Sequence, residues 1–321
     1  MKLAFLFPGQ GSQSVGMGKA LAEGFPAARA AFETADRVLG FPLTRLAWEG
    51  PEEELRLTHN AQPALLAHSI AALRVIEEHG FHPAVVAGHS LGEYSASVAA
   101  GALAYEDALK LVRTRGELMH RAGTDQPGTM AAILGLDEKT VRLACRRATG
   151  EGGVVVAANF NAPGQVVISG HLEAVQKACE IAKQLGAKRA ILLPVSAAFH
   201  SPLMASAAQA LAKAIDATPF AAPRCPIVSN VSARKVETAE LVRAALKEQL
   251  LGAVLWQSSM RLLLDEKVDH FVEIGTGRVL RGLLKSLEPN AVSFQFGEPA
   301  DLEVTVSGLR GAGQPAAGGG V

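Results

Sequence analysis

The chain is poor in cysteine, has no net charge, and lacks any long apolar run. Its three cysteines, Cys145, Cys179 and Cys225, lie far apart without C-x-x-C spacing. That argues against a disulfide framework or a zinc site and fits a reducing compartment. Lys+Arg and Asp+Glu both number 31, so no bulk attraction to nucleic acid or an anionic membrane is expected. A local basic patch for an acidic partner stays open, because net charge hides distribution. No apolar stretch reaches the roughly 18 residues of a membrane span. The apolar start, Leu3–Phe7, breaks at Pro8-Gly9, too soon for a secretory core. A cytoplasmic monomer without nucleic-acid or membrane partners is the expectation. Aromatics are also scarce, at 5%, and Ala, Leu, Val and Gly dominate a chain that is 49% hydrophobic. That palette suits helices packed tightly on a parallel sheet. A length of 321 residues allows one large domain with a smaller one inserted.

Leu3–Phe7 reads as a buried first strand, followed by a helix over 17–39 and another over 63–78 that Gly80 ends. Ala84–Ala87 is a second buried strand; it runs into Gly88-His89-Ser90-Leu91-Gly92 and a small-residue helix to about Ala100, and 107–122 is a further helix. The order β-α-α-β-α-α is that of an α/β domain. The texture then changes. A strand at 129–134, a helix at 137–148, a hairpin of 154–157 with 165–169, a helix at 171–186 and a strand at 189–193 follow the ferredoxin-like order. The chain is therefore expected to form a hydrolase-like parallel-sheet α/β domain from 1–125 and 196–300, with an α+β subdomain inserted at 126–195. Helix returns at 202–215, and later strands are expected at 226–229, 270–274 and 292–294. Residues 301–321, Gly/Ala/Pro-rich from Gly311 on, are expected to form a largely disordered tail.

Gly88-His89-Ser90-Leu91-Gly92 is a G-x-S-x-G motif between a strand and a helix, the context of a nucleophile elbow. A tight turn there lifts the Ser90 hydroxyl clear of the sheet, and the Leu91 N–H at the helix start can face a developing oxyanion. The plainer alternative is a glycine-rich turn with an idle serine. A serine nucleophile needs a base. On chemistry alone His89 and His200 are comparable, and His270, at the start of an apparent strand, reads as structural. Pro8-Gly9-Gln10-Gly11-Ser12-Gln13 fails both nucleotide fingerprints. Ser14 stands where the dinucleotide motif needs its third glycine, and Gln13 and Ala20 break the P-loop pattern around Gly18-Lys19. Arg113 and Arg115 face different ways on one helix, and nothing in the pattern chooses between them. Met119 is most simply core, Asn159 and Asn161 are most simply hairpin residues, and Lys188-Arg189 either greets an acidic partner or is surface charge.

Taken together, Phe7–Gln13, Gly88–Tyr94, Arg115-Gly116 with Met119, Asn159–Asn161 with Pro163–Val167, and Phe199-His200-Ser201 resemble the malonyl-CoA:acyl carrier protein transacylase family, in order from residue 3 to about 285. The resemblance implies a hydrolase-like domain with a ferredoxin-like insertion. It implies Ser90 as the acylated serine, His200 as its base, and the Gln10 and Leu91 N–H groups as the oxyanion hole. By the same resemblance, Arg115 pairs with the malonyl carboxylate, Gln62 lines the pocket and Phe199 crowds the substrate α-carbon. No acid matches a third triad member. A main-chain carbonyl between Gln249 and Trp256 would orient the histidine, from Gln249 or a neighbour. Relatives usually have Asn-Pro where this chain has Gly252-Ala253, and Gly-Pro-Gly where it has Gly275-Thr276-Gly277. The implied partners are malonyl-CoA and acyl carrier protein, with no metal or bound cofactor. The rivals are a serine thioesterase or hydrolase and a non-catalytic acyl or carrier-protein binding module. The first would need water to win the second step, and the second would be expected to lose Ser90 or His200.

Overall fold

A computed structural model of the chain describes residues 1–150, 152–195 and 197–311. The first part runs β1 (Leu3–Phe7), α1 (Lys19–Gly24), α2 (Pro26–Leu39), α3 (Leu43–Glu49), α4 (Glu52–Arg56), α5 (Thr58–Glu78), β2 (Val85–Gly88), α6 (Gly92–Ala99) and α7 (Tyr105–Asp125). The middle part runs β3 (Thr129–Leu134), α8 (Glu138–Ala148), β4 (Val155–Ala162), β5 (Gln165–Gly170), α9 (Leu172–Gln184) and β6 (Arg189–Leu192). After a 3-10 turn at Pro202–Met204 come α10 (Ala205–Asp216), β7 (Ile227–Val228), β8 (Lys235–Val236), α11 (Ala239–Gln249), α12 (Trp256–Asp265), β9 (His270–Ile274), α13 (Val279–Leu287), β10 (Val292–Phe296) and α14 (Pro299–Gly311).

The large sheet has the order β10-β9-β1-β2-β7-β8 and is parallel except for β8. All five residues of β1 are buried, as expected of a central strand covered by helices on both faces. The second sheet, β4-β5-β3-β6, is antiparallel. Its α8 and α9 bury Val141, Ala144, Val175 and Ala178 against Ile133 and Ile168. The chain is thus an α/β protein with an inserted ferredoxin-like unit. The two sheets meet where β4 flanks the segment before α12: Phe160 N–H donates to the Val254 carbonyl and Val254 N–H to the Ala158 carbonyl, both at 2.8 Å.

Three local expectations need correction. The helix expected over 17–39 is two, because Phe25 is extended at φ −133° and Pro26 opens the second helix, a position where its missing N–H costs nothing. The helix expected from Pro63 begins at Thr58 and carries Pro63 inside it. The tail expected from 301 is α14 as far as Gly311, with Thr305, Val306 and Leu309 buried; residues 312–321 lie outside the described residues.

Candidate active site

Ser90 sits at the end of β2 with φ +50°, a left-handed conformation that a non-glycine residue holds only when its surroundings impose it. The glycines two positions either side explain how. A Cβ on Gly88 would stand 1.9 Å from the Gly92 carbonyl, and one on Gly92 would stand 2.0 Å from the Phe7 oxygen. The turn therefore closes only on bare backbone. Asn230, just after β7, braces it from outside. Its Oδ1 accepts from Ser90 N–H, and its Nδ2 donates to the Gly88 carbonyl, both at 2.7 Å. The sequence offered no signal for Asn230.

His200 also has positive φ, +56°, and it brings Nε2 to 2.8 Å from Ser90 Oγ. Its Nδ1 lies 3.0 Å from the Gln249 carbonyl and 3.1 Å from that of Gly252. Both are pure acceptors, so Nδ1 carries the proton and Nε2 is left bare to accept from the serine hydroxyl. Burial, with Arg115 nearby, pushes the His200 imidazole down to about 3. The alternative base is spoken for elsewhere: His89 Nε2 lies 2.8 Å from Asn161 Oδ1, and its ring lies 5.5 Å from that of Trp256.

The two arginines of α7 part company. Arg113 bonds Glu117, Asn60 Oδ1 and the His59 carbonyl. That carbonyl is the one Pro63, lacking an N–H, leaves free four residues on, so Arg113 mends α5. Arg115 is buried, with 1% of its surface exposed. Its Nη1 donates to Gln62 Oε1 at 2.8 Å, and its Nη2 donates to Gln249 Oε1 at 3.0 Å and Ser90 Oγ at 3.1 Å. Gly116 lets it arrive: a Cβ there would stand 2.5 Å from His59 Cα, so α7 crosses α5 closely at that position.

These groups face a cavity of about 530 Å³ walled by Gly9–Gln13, Met119, Met130, Asn159, Asn161, Val195, Phe199 and the α13 residues Val279, Leu280 and Leu283, among others. Gln62 is not in the wall. It stands behind Arg115 and donates to Met119 Sδ at 3.3 Å. Among the described residues no group of three or more His, Cys, Asp or Glu side chains is placed to hold a metal, and no helix is long and apolar enough to cross a membrane. A serine hydroxyl hydrogen-bonded to a neutral imidazole, beside a buried guanidinium, suits acyl transfer involving an acyl group with an anionic end.

Comparison with known proteins agrees with that chemistry. A family model described as an acyl transferase domain matches residues 4–287. The chain is 47% identical over 309 residues to the malonyl CoA-acyl carrier protein transacylase of Bacillus subtilis (strain 168), covering 96% of this chain and 98% of that one. It is 44% identical over 302 residues to the protein of the same name from Escherichia coli (strain K12), covering 94% and 97%. Among solved structures, an acyl-carrier-protein-S-malonyltransferase from Bartonella henselae superposes with a TM-score of 0.92 at 44% identity, covering 97% of this chain and all of that one. A malonyl-transacylase in complex with its type II PKS acyl-carrier protein superposes equally well, at 0.92 and 42% identity over 96% and 99% of the two chains.

Proposed function

The chain belongs to the malonyl-CoA:acyl carrier protein transacylase family, and from that premise we propose that it moves a malonyl group from CoA to the phosphopantetheine thiol of an acyl carrier protein through malonyl-Ser90, supplying fatty acid synthesis. The observation that carries the reading is the meeting of Ser90 Oγ with His200 Nε2 on one side and Arg115 Nη2 on the other. One partner activates the nucleophile and the other pairs with a carboxylate.

His200 Nε2 takes the hydroxyl proton as Ser90 Oγ attacks the thioester carbon. The N–H groups of Gln10 and Leu91 hold the oxyanion; neither donates to another group among the described residues. The tetrahedral adduct then breaks its C–S bond, and the CoA sulfur leaves with the proton from His200. In the second half the carrier thiol gives its proton to His200, its sulfur attacks the ester carbon, and Ser90 Oγ leaves and recovers the proton. Gln249 and Gly252 share the orienting of His200 through their carbonyls. Arg115 holds the malonyl carboxylate, with Gln62 setting the guanidinium from behind. Phe199 and Met119 bound the space beside the acyl group, so a smaller residue at 199 admits branched units better. Residues 1–125 with 196–300 act as the catalytic domain and 126–195 as the smaller one. The protein works as a cytoplasmic monomer, without nucleic acid or membrane.

Mixing the protein with malonyl-CoA, followed by mass spectrometry of the Ser90 peptide, tests this. A malonyl increment that disappears on adding phosphopantetheinylated carrier protein is expected. A peptide that stays unmodified, or one discharged by water as fast as by the carrier, would overturn the reading.

A further inference from the structure

The motif residue that the mechanism leaves unused is Glu93, in the first turn of α6 and 1% exposed. A buried carboxylate so close to a nucleophile calls for a physical reason. Its Oε2 accepts from Gln249 Nε2 at 2.6 Å, and its Oε1 accepts from Asn230 N–H at 3.3 Å. The same Gln249 nitrogen donates to the Ser90 carbonyl at 2.7 Å, while Gln249 Oε1 faces Arg115. Arg115 can only donate, whereas Glu93 and the Ser90 carbonyl accept. The Gln249 amide therefore has one satisfied rotation, with oxygen to Arg115 and nitrogen to Glu93.

Among the described residues Arg115 bonds no carboxylate; its acceptors are two amide oxygens and the Ser90 hydroxyl. Burying an unpaired guanidinium is costly, and a directly bonded Glu or Asp would remove that cost. It would also occupy the donors an incoming carboxylate needs. Glu93 sits one amide away. It balances the charge while the guanidinium's own partners remain neutral acceptors that a carboxylate can displace.

We propose that Glu93 is the positioning residue for malonyl selection, fixing the Gln249 amide and balancing Arg115 at one remove so that the guanidinium stays charged and bonded to neutral acceptors alone. The proposal rests on the malonyl-transfer reading of this site. Burial pushes the Glu93 carboxyl up to about 7, against the Gln249 and Asn230 donors and Arg115, which favour the ionised form. Rates are therefore best compared at about pH 8, where the carboxylate prevails.

The test is the rate of Ser90 acylation by malonyl-CoA and by acetyl-CoA in the parent, Glu93→Gln, Glu93→Leu and Arg115→Ala proteins, and in the Glu93→Gln/Arg115→Ala double variant. Glu93→Gln keeps an acceptor for Gln249 but removes the charge. Its malonyl rate should fall about tenfold, the difference in scale between a hydrogen bond to a charged acceptor and one to a neutral acceptor, and its acetyl rate by less than about threefold. Glu93→Leu loses both functions and should fall further with malonyl; if it does not fold, Glu93→Gln carries the test alone. In the Arg115→Ala background Glu93→Gln should change the malonyl rate less than about twofold, because the two residues act as one unit. Equal losses for both substrates, additive losses in the double variant, or a Glu93→Gln protein that matches the parent would overturn the proposal. If the parent takes no malonyl group, it is the reading of the function that fails.

Discussion

On the proposed reading, Arg115 is the one side chain that sets the acyl preference. It is buried among neutral acceptors, and a malonyl carboxylate brought beside Ser90 needs a paired cation to offset its lost hydration. Arg115→Ala is expected to lose malonyl acylation by about 100-fold or more, the scale of a charge-assisted bidentate pair. It should lose far less with acetyl-CoA. Arg113→Ala should leave the ratio of the two rates unchanged and lower the melting temperature, since Arg113 mends the break at Pro63. A preference lost in Arg113→Ala and kept in Arg115→Ala would exchange the two roles. His200 gives a second expectation at this scale. Burial and Arg115 lower its imidazole to about 3, so the basic form, present above that value, persists well into acid. Sulfonylation of Ser90 by an uncharged sulfonyl fluoride avoids any titration of substrate. Its rate should stay level as pH falls from 7 to about 5, where an ordinary histidine near 6.5 would already have cost most of the activity. An acid limb centred near 6.5 would contradict the neutral, buried base.

At the scale of elements, the elbow is a construction of three close backbones. Replacing Gly92 by Ala puts a methyl where the Phe7 carbonyl stands, and neither β1 nor α6 can yield without moving Ser90. Gly92→Ala should cost about 1–3 kcal/mol or more of stability, as overpacking does, and should abolish acylation even in protein that folds. A thermal melt and the acyl-enzyme rate check this together, and a well-folded, active Gly92→Ala would contradict the account. This element was legible before folding because G-x-S-x-G between strand and helix states its own geometry. The inserted unit was legible because its strands and helices alternate in a period that needs no long-range knowledge. Other elements were not. Local pattern does not mark α3, α4 or α11–α13, although Thr238 caps α11 through Leu241 N–H. Helix α14 reads as tail in the sequence, because the segment that leads into it is held by distant partners. Glu298 Oε1 accepts from Gly18 N–H at 3.0 Å, and the Gly297 carbonyl lies 2.7 Å from His68 Nε2. Asn230 escaped for the same reason: its value is the space between β2 and β7, which no local pattern encodes. The choice between His89 and His200 likewise needed Asn161, 72 residues from His89.

At the scale of the whole molecule, the site depends on how the two sheets join. The carbonyls that fix His200 belong to Gln249 and Gly252. The chain leaves them directly into Val254, which exchanges two backbone hydrogen bonds with β4 of the inserted unit. Gly252-Ala253 gives the chain a permissive backbone here, with no proline to stiffen it. The β4 contact therefore has more of the restraining to do. Val254→Pro removes the N–H that reaches the Ala158 carbonyl while leaving every side chain in the cavity unchanged. It should loosen the carbonyls behind Nδ1 and let the imidazole turn, and a misdirected base slows the attack of Ser90 on any acyl group. The acylation rates with malonyl-CoA and acetyl-CoA should therefore fall in parallel, by about tenfold or more, and the melting temperature should drop by several degrees for the lost bond. This parallel loss is what separates it from Arg115→Ala, which splits the two substrates. A Val254→Pro protein that folds and acylates at the parent rate would show that α11 alone holds the carbonyls. A loss confined to malonyl-CoA would instead mean that the strain passes through Gln249 to Arg115 rather than to His200.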